Sequence, residues 1–364
     1  MSIATTPTSS GFSGCDFKGC EFKWRNFKTV RFYTTKYVLN LTRALSQMLL
    51  RELKILTADI VCDTPITSEI VQRNRTNPAE LLFILIPQLL VTDSNGVPDA
   101  GKYCIYQLEQ MNDKNVANET LIKTHFNSIL TSLIRNSVAA FDYSSVNLDY
   151  YPESLRSKIT LLPPPVYITP AIPSNRIHFS DTRRSDILFY GSFNARRERI
   201  VDQLAQTLIR RGYNYNIRVL TQSFGDELMD YISGARIVLN IHFYANSILE
   251  TDRIHTALQF DNVTVISEYP TQRDALLPIY ESFPQIKFCN EIGSDAYNVD
   301  ELADACIRAI NNNNNNNNNT ANTAANNAHS HTITQLNALC DAEIRKMKEP
   351  PQPPQPPQPP QPNE

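Results

Sequence analysis

Two hydrophobic periods alternate along this chain. Between Asp186 and Glu268, short apolar runs (Ile187–Tyr190, Ile217–Leu220, Ile237–Leu239, Val263–Ile266) read as buried strands. Amphipathic stretches at Arg196–Leu204, Asp226–Ile232 and Leu249–Leu258 separate them and read as helices. Strand and helix in strict alternation predict a parallel sheet covered by helices on both faces. Sheets of this kind bind ligands at the carboxyl ends of their strands. The residues that follow each apolar run are therefore the first candidates for function.

The preceding half carries the same signals. Asn26–Tyr33, Ile55–Val61, Leu81–Ile86, Tyr103–Glu109, Val138–Phe141 and Lys158–Leu162 read as strands. Thr34–Leu53 places Tyr37, Val38, Leu41, Leu45, Met48, Leu49 and Leu53 on one helical stripe. Asn118–Ser137 reads as a helix, and Ser144 or Ser145 is placed to cap a following helical turn. The predicted fold class is α/β: two Rossmann-like domains and a disordered low-complexity C-terminal tail. Residues 1–20 are Ser/Thr/Gly-rich and read as disordered, with a first domain at 21–165 and a Pro-rich linker at 166–182. A second domain at 183–310 precedes an Asn-rich linker at 311–331, a helix-compatible stretch at 332–348 and a Pro/Gln-rich tail at 349–364. The tail's Pro-Pro-Gln repeats suit polyproline II and would fit a partner's proline-binding domain.

Composition narrows the class. A chain of 364 residues with 41% hydrophobic and 20% charged residues suits a soluble protein of about two domains. A net charge of -3 gives no broad basic field, which argues against nucleic acid as a partner. The seven cysteines form no CxxC pair, which suits a reducing compartment. The N-terminal residues lack a signal-peptide pattern, and no apolar run reaches transmembrane length. A cytoplasmic location is expected.

Several familiar motifs fail on chemistry. Gly96–Lys102 has P-loop spacing, but Tyr103 follows where a Ser or Thr must reach magnesium, and a strand follows where a helix should begin. The chain has no GxGxxG, which argues against a dinucleotide-binding dehydrogenase, and no DxD carboxylate pair for a metal. What remains lies at the strand ends of the second half. Gly191 lets the backbone pass close to a ligand after the first strand, and Ser192 or Asn194 can cap the next helix. Arg196, Arg197 and Arg199 bring positive charge to that helix start, a setting for phosphate. Further on, Glu250 and Arg253 share a helix face, where a carboxylate can accept sugar hydroxyls and a guanidinium can clamp phosphate. His242 and Glu268, at two other strand ends, should converge on the same edge, whereas His255 reads as structural.

Ile187–Asn194 with Arg196 and Arg197, Arg236–His242, Leu249-Glu250 with Arg253, and Val265–Glu268 together resemble the nucleotide-sugar half of GT-B glycosyltransferases. The likeness is to group-1-type members, including those encoded by giant viruses. Phe83–Gln88, Lys102–Gln110, Phe141–Asn147 and Leu161–Pro165 resemble the later strands of that fold's acceptor half. The resemblance implies two Rossmann-like domains facing across a cleft. It implies a glycosyltransferase that moves a sugar from a nucleotide-sugar donor to a hydroxyl of a glycan, lipid or protein, with no cofactor and no metal. The donor diphosphate would meet Gly191, Ser192, Arg196 and Arg253, and Glu250 would contact the donor sugar. Glu268 would take the ribose. Glu109 and Asp142 are candidates for the catalytic base by position, with His242 beside the same edge.

This chain also departs from the family's pattern. The EX7E pattern needs a second glutamate two helical turns after Glu250, where the chain reads Thr256-Ala257-Leu258. Phe260-Asp261-Asn262 stands where a glycine usually precedes the next strand. The alternative reading is a non-catalytic binding or scaffold protein on a degenerate transferase fold.

Overall fold

The computed structural model describes residues 27–91, 97–111, 129–166, 185–289, 299–315, 334 and 337–345. Expectations for residues 1–20, most of the Pro-rich linker, most of the Asn-rich linker and the Pro/Gln tail lie outside the described residues.

Strands β1 (Thr29–Thr34), β2 (Thr57–Cys62), β3 (Glu80–Leu85), β4 (Tyr103–Gln107), β5 (Ala139–Asp142) and β6 (Ile159–Leu161) form one sheet in the order β2-β1-β3-β4-β5-β6. Strands β7 (Ser185–Tyr190), β8 (Ile217–Leu220), β9 (Ala235–Asn240), β10 (Thr264–Glu268) and β11 (Ile286–Cys289) form a second, ordered β11-β10-β9-β7-β8. Every pairing is parallel.

Among the described residues, eleven α-helical segments accompany the sheets: α1 (Leu39–Leu53), α2 (Ser68–Thr76), α3 (Pro87–Leu90), α4 (129–136), α5 (Glu153–Arg156), α6 (Ala195–Arg210), α7 (Gly225–Ser233), α8 (Thr251–Ala257), α9 (Leu277–Glu281), α10 (Val299–Asn315) and α11 (337–345).

The strands read as continuous apolar runs because both faces are covered. In β3, Leu81, Phe83 and Leu85 point into one core, while Leu82 and Ile84 point into the other. β7 does the same with Ile187 and Phe189 against Leu188 and Tyr190. This is the period of two that a strand imposes on its side chains. In the second half, α6 and α10 cover one face, and α7, α8 and α9 cover the other.

Three features differ from the expectation. The first helix begins at Leu39, after a 3₁₀ turn at Lys36–Val38, so Tyr37 leaves the buried stripe and stands 53% exposed. α2 has no apolar stripe, with Val71 and Asn74 its buried residues, and periodicity therefore gave no sign of it. α10 runs past Ile310 to Asn315, since adding residues to a formed helix costs far less than starting one.

The segment 337–345 returns to the first half. Cys340 and Ile344 are fully buried in the core beside α1. Arg51 binds Asp341 at 2.7 Å, Arg345 binds Glu52 at 2.9 Å, and the Asn337 side chain brackets the Val166 backbone at 2.9 and 3.2 Å.

Candidate active site

In each sheet the first strand in sequence lies between the two that follow it: β1 lies between β2 and β3, and β7 lies between β8 and β9. The loops leaving such strands diverge and open a crevice at the carboxyl edge. The crevices of the two sheets face one another across a single cleft of about 450 Å³. Lys36 and Tyr37 after β1, and Ile86 and Leu89 after β3, form part of one wall. Gly191 and Ser192 after β7, and Phe243 and Tyr244 after β9, form part of the other.

Gly191 holds φ at +116°, which side-chain-bearing residues rarely adopt. Its amide donates to the Leu220 carbonyl at 2.9 Å. The room left by its missing side chain is taken by Arg253. Arg253 donates from Nε to the Tyr190 carbonyl at 3.0 Å, and from Nη1 to Asn240 Oδ1 at 2.6 Å and Glu250 Oε2 at 3.1 Å. Nη2 lies over Gly191 on the cleft wall. Asn194, rather than Ser192, caps α6 by accepting from the Arg197 amide at 2.9 Å, and Ser192 stays on the cleft wall.

Glu250 immediately precedes α8. It accepts from Arg197 Nη2 at 2.5 Å, from Arg253 Nη1 and from the Phe243 amide. Burial by itself would raise its pKa. The guanidinium groups of Arg197 and Arg253, together with the Phe243 amide, outweigh burial and pull the carboxyl down to about 2. Its side chain keeps 27% exposure.

Sequence reasoning placed Arg197 with Arg196 and Arg199 at the start of α6 but assigned the diphosphate contact to Arg196. The Arg197 guanidinium also donates to the Ile241 carbonyl at 2.9 Å and to the Ser192 carbonyl at 2.7 Å, and it packs over Phe243. It thus ties the β7 loop, the end of β9 and the start of α8 together. Burial pushes it down to about 10, still charged at neutral pH. The signal was available: Arg197, Ile200, Val201 and Leu204 form the buried stripe of α6.

Arg196, Glu268 and His242 differ from the expectation because none of them lines the cleft. Arg196 leaves the helix about 100° from Arg197. It donates to Glu268 Oε1 and, at 2.8 Å, to the His242 carbonyl. Glu268 also accepts from the His242 amide at 3.0 Å, and its side chain is 3% exposed. The His242 ring is fully buried, with Nδ1 2.6 Å from Ser247 Oγ. Burial pushes its pKa down to about 4, so it is neutral at pH 7. The three do meet at one sheet edge, behind the cleft wall rather than on it.

The two carboxylates of the first half also part company. Asp142 is fully buried and accepts from the Ser144 amide at 2.9 Å, Asn147 Nδ2 at 2.9 Å and the Tyr151 hydroxyl at 2.8 Å. It organises the loop after β5 and does not line the cleft. Burial nevertheless raises it to about 7, against those three hydrogen bonds. Glu109, just beyond β4, lines the cleft and is exposed, and its carboxylate has no hydrogen bond among the described residues. Loss of hydration between the walls, followed by the charges of Glu250 and Asp252, pushes it up towards about 7, with solvent at its exposed side working against the rise. Asp252, facing the cleft from α8, is also pushed up to about 7 by burial, with Arg253 opposing and Glu250 adding.

Contacts between the halves surround the cleft. Gln110 donates to the Asn246 carbonyl at 2.9 Å, and Arg43 pairs with Asp226 at 2.7 Å. Asp274 accepts from Ser144 Oγ at 2.5 Å and from the Ser145 amide at 2.8 Å. Ser145, at the N-cap of the following helical turn, makes no side-chain cap hydrogen bond, and the two serines expected as caps form a latch instead. Among the described residues, no group of His, Cys, Asp or Glu side chains could hold a metal ion, and no helix is long and apolar enough to cross a membrane.

No protein-family model matches the chain, and no curated protein matches it. Among solved structures, it is similar to the glycosyltransferase SnogD from Streptomyces nogalater, at 12% identity, with 88% of this chain and 100% of that chain covered and a TM-score of 0.41. It is also similar to a UDP-forming α,α-trehalose-phosphate synthase from Burkholderia xenovorans, at 8% identity over 88% and 97% of the two chains, with a TM-score of 0.47. A third similar structure is a UDP-GlcNAc 2-epimerase from Methanocaldococcus jannaschii, at 12% identity over 78% and 93%, with a TM-score of 0.40. The chemistry of the cleft, not these likenesses, supports the functional reading below.

Proposed function

We propose that this chain is a glycosyltransferase that moves a sugar from a nucleotide-sugar donor to a hydroxyl acceptor. One observation carries the reading. The switch points of two parallel sheets face one cleft, with Arg253 and Ser192 on one wall and, on the opposite wall, the Glu109 carboxylate, which has no hydrogen bond among the described residues. The donor diphosphate would lie against Arg253 and Ser192, with Gly191 allowing the close approach. Glu250 would hold those arginine contacts and offer its exposed edge to the donor sugar.

In the transfer, the Glu109 carboxylate takes the proton of the acceptor hydroxyl as its oxygen bonds to the anomeric carbon. The bond from that carbon to the diphosphate oxygen breaks, and its electron pair leaves with the nucleoside diphosphate. A carboxylate whose pKa is raised by its surroundings is a better proton acceptor at neutral pH than an ordinary one. Arg253 meets the charge on the leaving group, so the proposed reaction needs no bound metal. Positioning across the closed cleft, and exclusion of water from it, supply the rest.

A second reading has its own observation. Both Glu250 oxygens are already engaged, and α8 ends at Ala257 with no second carboxylate two turns on. This favours a protein that binds a nucleotide sugar without turning it over. The test uses the full chain, in a thermal-shift series with UDP, GDP, dTDP, CMP and their sugars, followed by an assay for sugar release or transfer. A shift with transfer or hydrolysis supports the transferase. A shift with neither points to the binding protein, and no shift with any nucleotide removes the transferase reading.

A further inference from the structure

Three consecutive residues of the loop from β9 to α8 point three ways. Ile248 is buried in the core of the first half, Leu249 is buried in the core of the second, and Glu250 stands on the cleft wall with Arg197 and Arg253. The loop is gripped from both sides. Within the second half, Ser247 donates from its amide to Thr271 Oγ1 at 2.9 Å and accepts at its carbonyl from the Gln272 amide at 3.1 Å. Its hydroxyl lies 2.6 Å from His242 Nδ1.

The backbone groups on either side of Ser247 turn to the first half. Gln110 donates from Nε2 to the Asn246 carbonyl at 2.9 Å, and its Oε1 accepts from the Ile248 amide at 3.3 Å. A primary amide carries a donor and an acceptor side by side, so one side chain can serve the carbonyl of one residue and the amide of the next but one. Gln110 is itself held by the same device. Asn147 donates from Nδ2 to the Glu109 carbonyl at 3.0 Å and accepts at Oδ1 from the Met111 amide at 2.8 Å, which brackets the backbone on both sides of Gln110. Two amide brackets in series thus run from the turn after β5, through residues 109–111, to the loop that ends at Glu250.

We infer that Gln110 is a positioning residue: its bracket on Asn246 and Ile248 sets Glu109 on one wall opposite the donor site on the other. The inference rests on the transferase reading above, in which Glu109 takes the acceptor proton and the second half holds the donor. Glu109 and Gln110 are neighbours in the chain, and Ile248 stands two residues before Glu250, so the bracket joins the walls beside the groups that react. Other contacts between the halves lie farther along the chain: Arg43 of α1 reaches Asp226, and Ser144 and Ser145 reach Asp274. Because the bracket spans both halves, it exists only while the cleft is closed. Opening breaks two hydrogen bonds, draws Ile248 out of the first core and takes Glu109 away from the donor wall. A displacement of about 1 Å among reacting groups can cost about 100-fold in rate. The diphosphate contacts proposed for Gly191, Ser192 and Arg253 belong wholly to the second half, so nucleotide binding does not need the bracket.

The test measures nucleotide release from UDP-, GDP-, dTDP- and CMP-sugars by the full chain, as initial rates over a range of concentrations, beside thermal-shift titrations with the free nucleotides. Gln110→Leu keeps the bulk of the side chain and removes both hydrogen bonds. It should lower kcat by about 10- to 100-fold and leave KM and nucleotide affinity within about twofold. Gln110→Glu keeps the acceptor for Ile248 but sets a carboxylate against the Asn246 carbonyl, and it should lower kcat in the same way. Arg43→Ala removes a contact between the halves that lies away from Glu109 and should leave kcat within about twofold. Gln110 is only partly buried, and a retained nucleotide shift reports that each variant is folded. A kcat unchanged in both Gln110 variants would overturn the inference. So would a loss carried by KM and nucleotide affinity, a nucleotide shift missing from both Gln110 variants, or an equal fall of kcat in Arg43→Ala. Each of these outcomes, beside release by the unsubstituted chain, leaves the transferase reading standing. No release from any of the sugars by the unsubstituted chain removes the reading and the inference together.

Discussion

Arg253 occupies the space that a side chain on Gly191 would need: a Cβ built there stands 3.0 Å from Arg253 Nη2. The conformation at Gly191 and the guanidinium on the cleft wall are therefore one feature. Gly191→Ala has to bear the unfavourable φ and also displace Arg253. We expect a loss of about 1–3 kcal/mol in stability and a larger loss in nucleotide affinity. Chemical denaturation and nucleotide thermal shifts measure the two, and an Ala variant with both unchanged would contradict the arrangement.

Among the described residues, Glu109 alone of the expected bases faces the cleft without a hydrogen-bond partner. Glu109→Gln should lower turnover by about 10²–10⁴-fold while leaving donor affinity in place. The carboxylate form is the active one, so wild-type turnover should rise as pH climbs through about 7. Asp142→Asn, by contrast, should act mainly on stability, because Asp142 accepts hydrogen bonds behind the wall. Equal catalytic losses in well-folded Glu109 and Asp142 variants would sink the assignment.

Two cleft carboxylates make stability depend on pH in an unusual direction. Glu109 and Asp252 rise to about 7 from ordinary values of 4.5 and 3.8. Between those limits the folded chain holds more protons than the unfolded one, so stability should fall as pH rises towards 7. Glu250 works the other way: pulled down to about 2, it contributes stability that is present above 4.5 and lost as pH falls towards 2. Urea midpoints measured across pH should show a shallower decline for Asp252→Asn than for the wild type. Parallel curves would mean that Asp252 does not titrate in this window.

The latch at Asp274 offers a test of closure. Its carboxylate serves Ser144 Oγ, the Ser145 amide and Ser145 Oγ from the opposite half. Asp274→Ala strands these donors, and we expect a loss of about 1–3 kcal/mol together with an opening of the cleft. Small-angle scattering should register a larger radius of gyration for the variant. An unchanged radius would assign closure to the remaining contacts.

At the C-terminal segment, magnitudes separate core from surface. Ile344 is fully buried, and its replacement by alanine should cost about 2–5 kcal/mol. Arg345 is 60% exposed, and removing its pair with Glu52 should cost about 1 kcal/mol or less. The two substitutions in the full chain, compared by denaturant midpoint, test whether α11 is part of the first half's core.

The order of elements was legible in the sequence because apolar period reports burial directly. Leu81–Ile86 and Ile187–Tyr190 are short apolar runs bounded by Pro87 and Gly191, which suits strands covered on both faces. The carboxyl ends of β7 and β9 were found by the same logic, and they did bring Gly191, Ser192, Glu250 and Arg253 to one cleft. The spacing of Arg197 with Ile200, Val201 and Leu204 also carried the sign that Arg197, not Arg196, points inward. The sequence could not say that Glu268 and His242 would seal against Arg196 while Glu109 stayed open. Those outcomes depend on side chains that are distant in sequence competing for the same hydrogen-bond donors. The exposure of Tyr37 and the return of α11 to the first core are of the same kind. Local pattern records how much apolar surface a segment must bury, and only the packed structure decides which surface receives it.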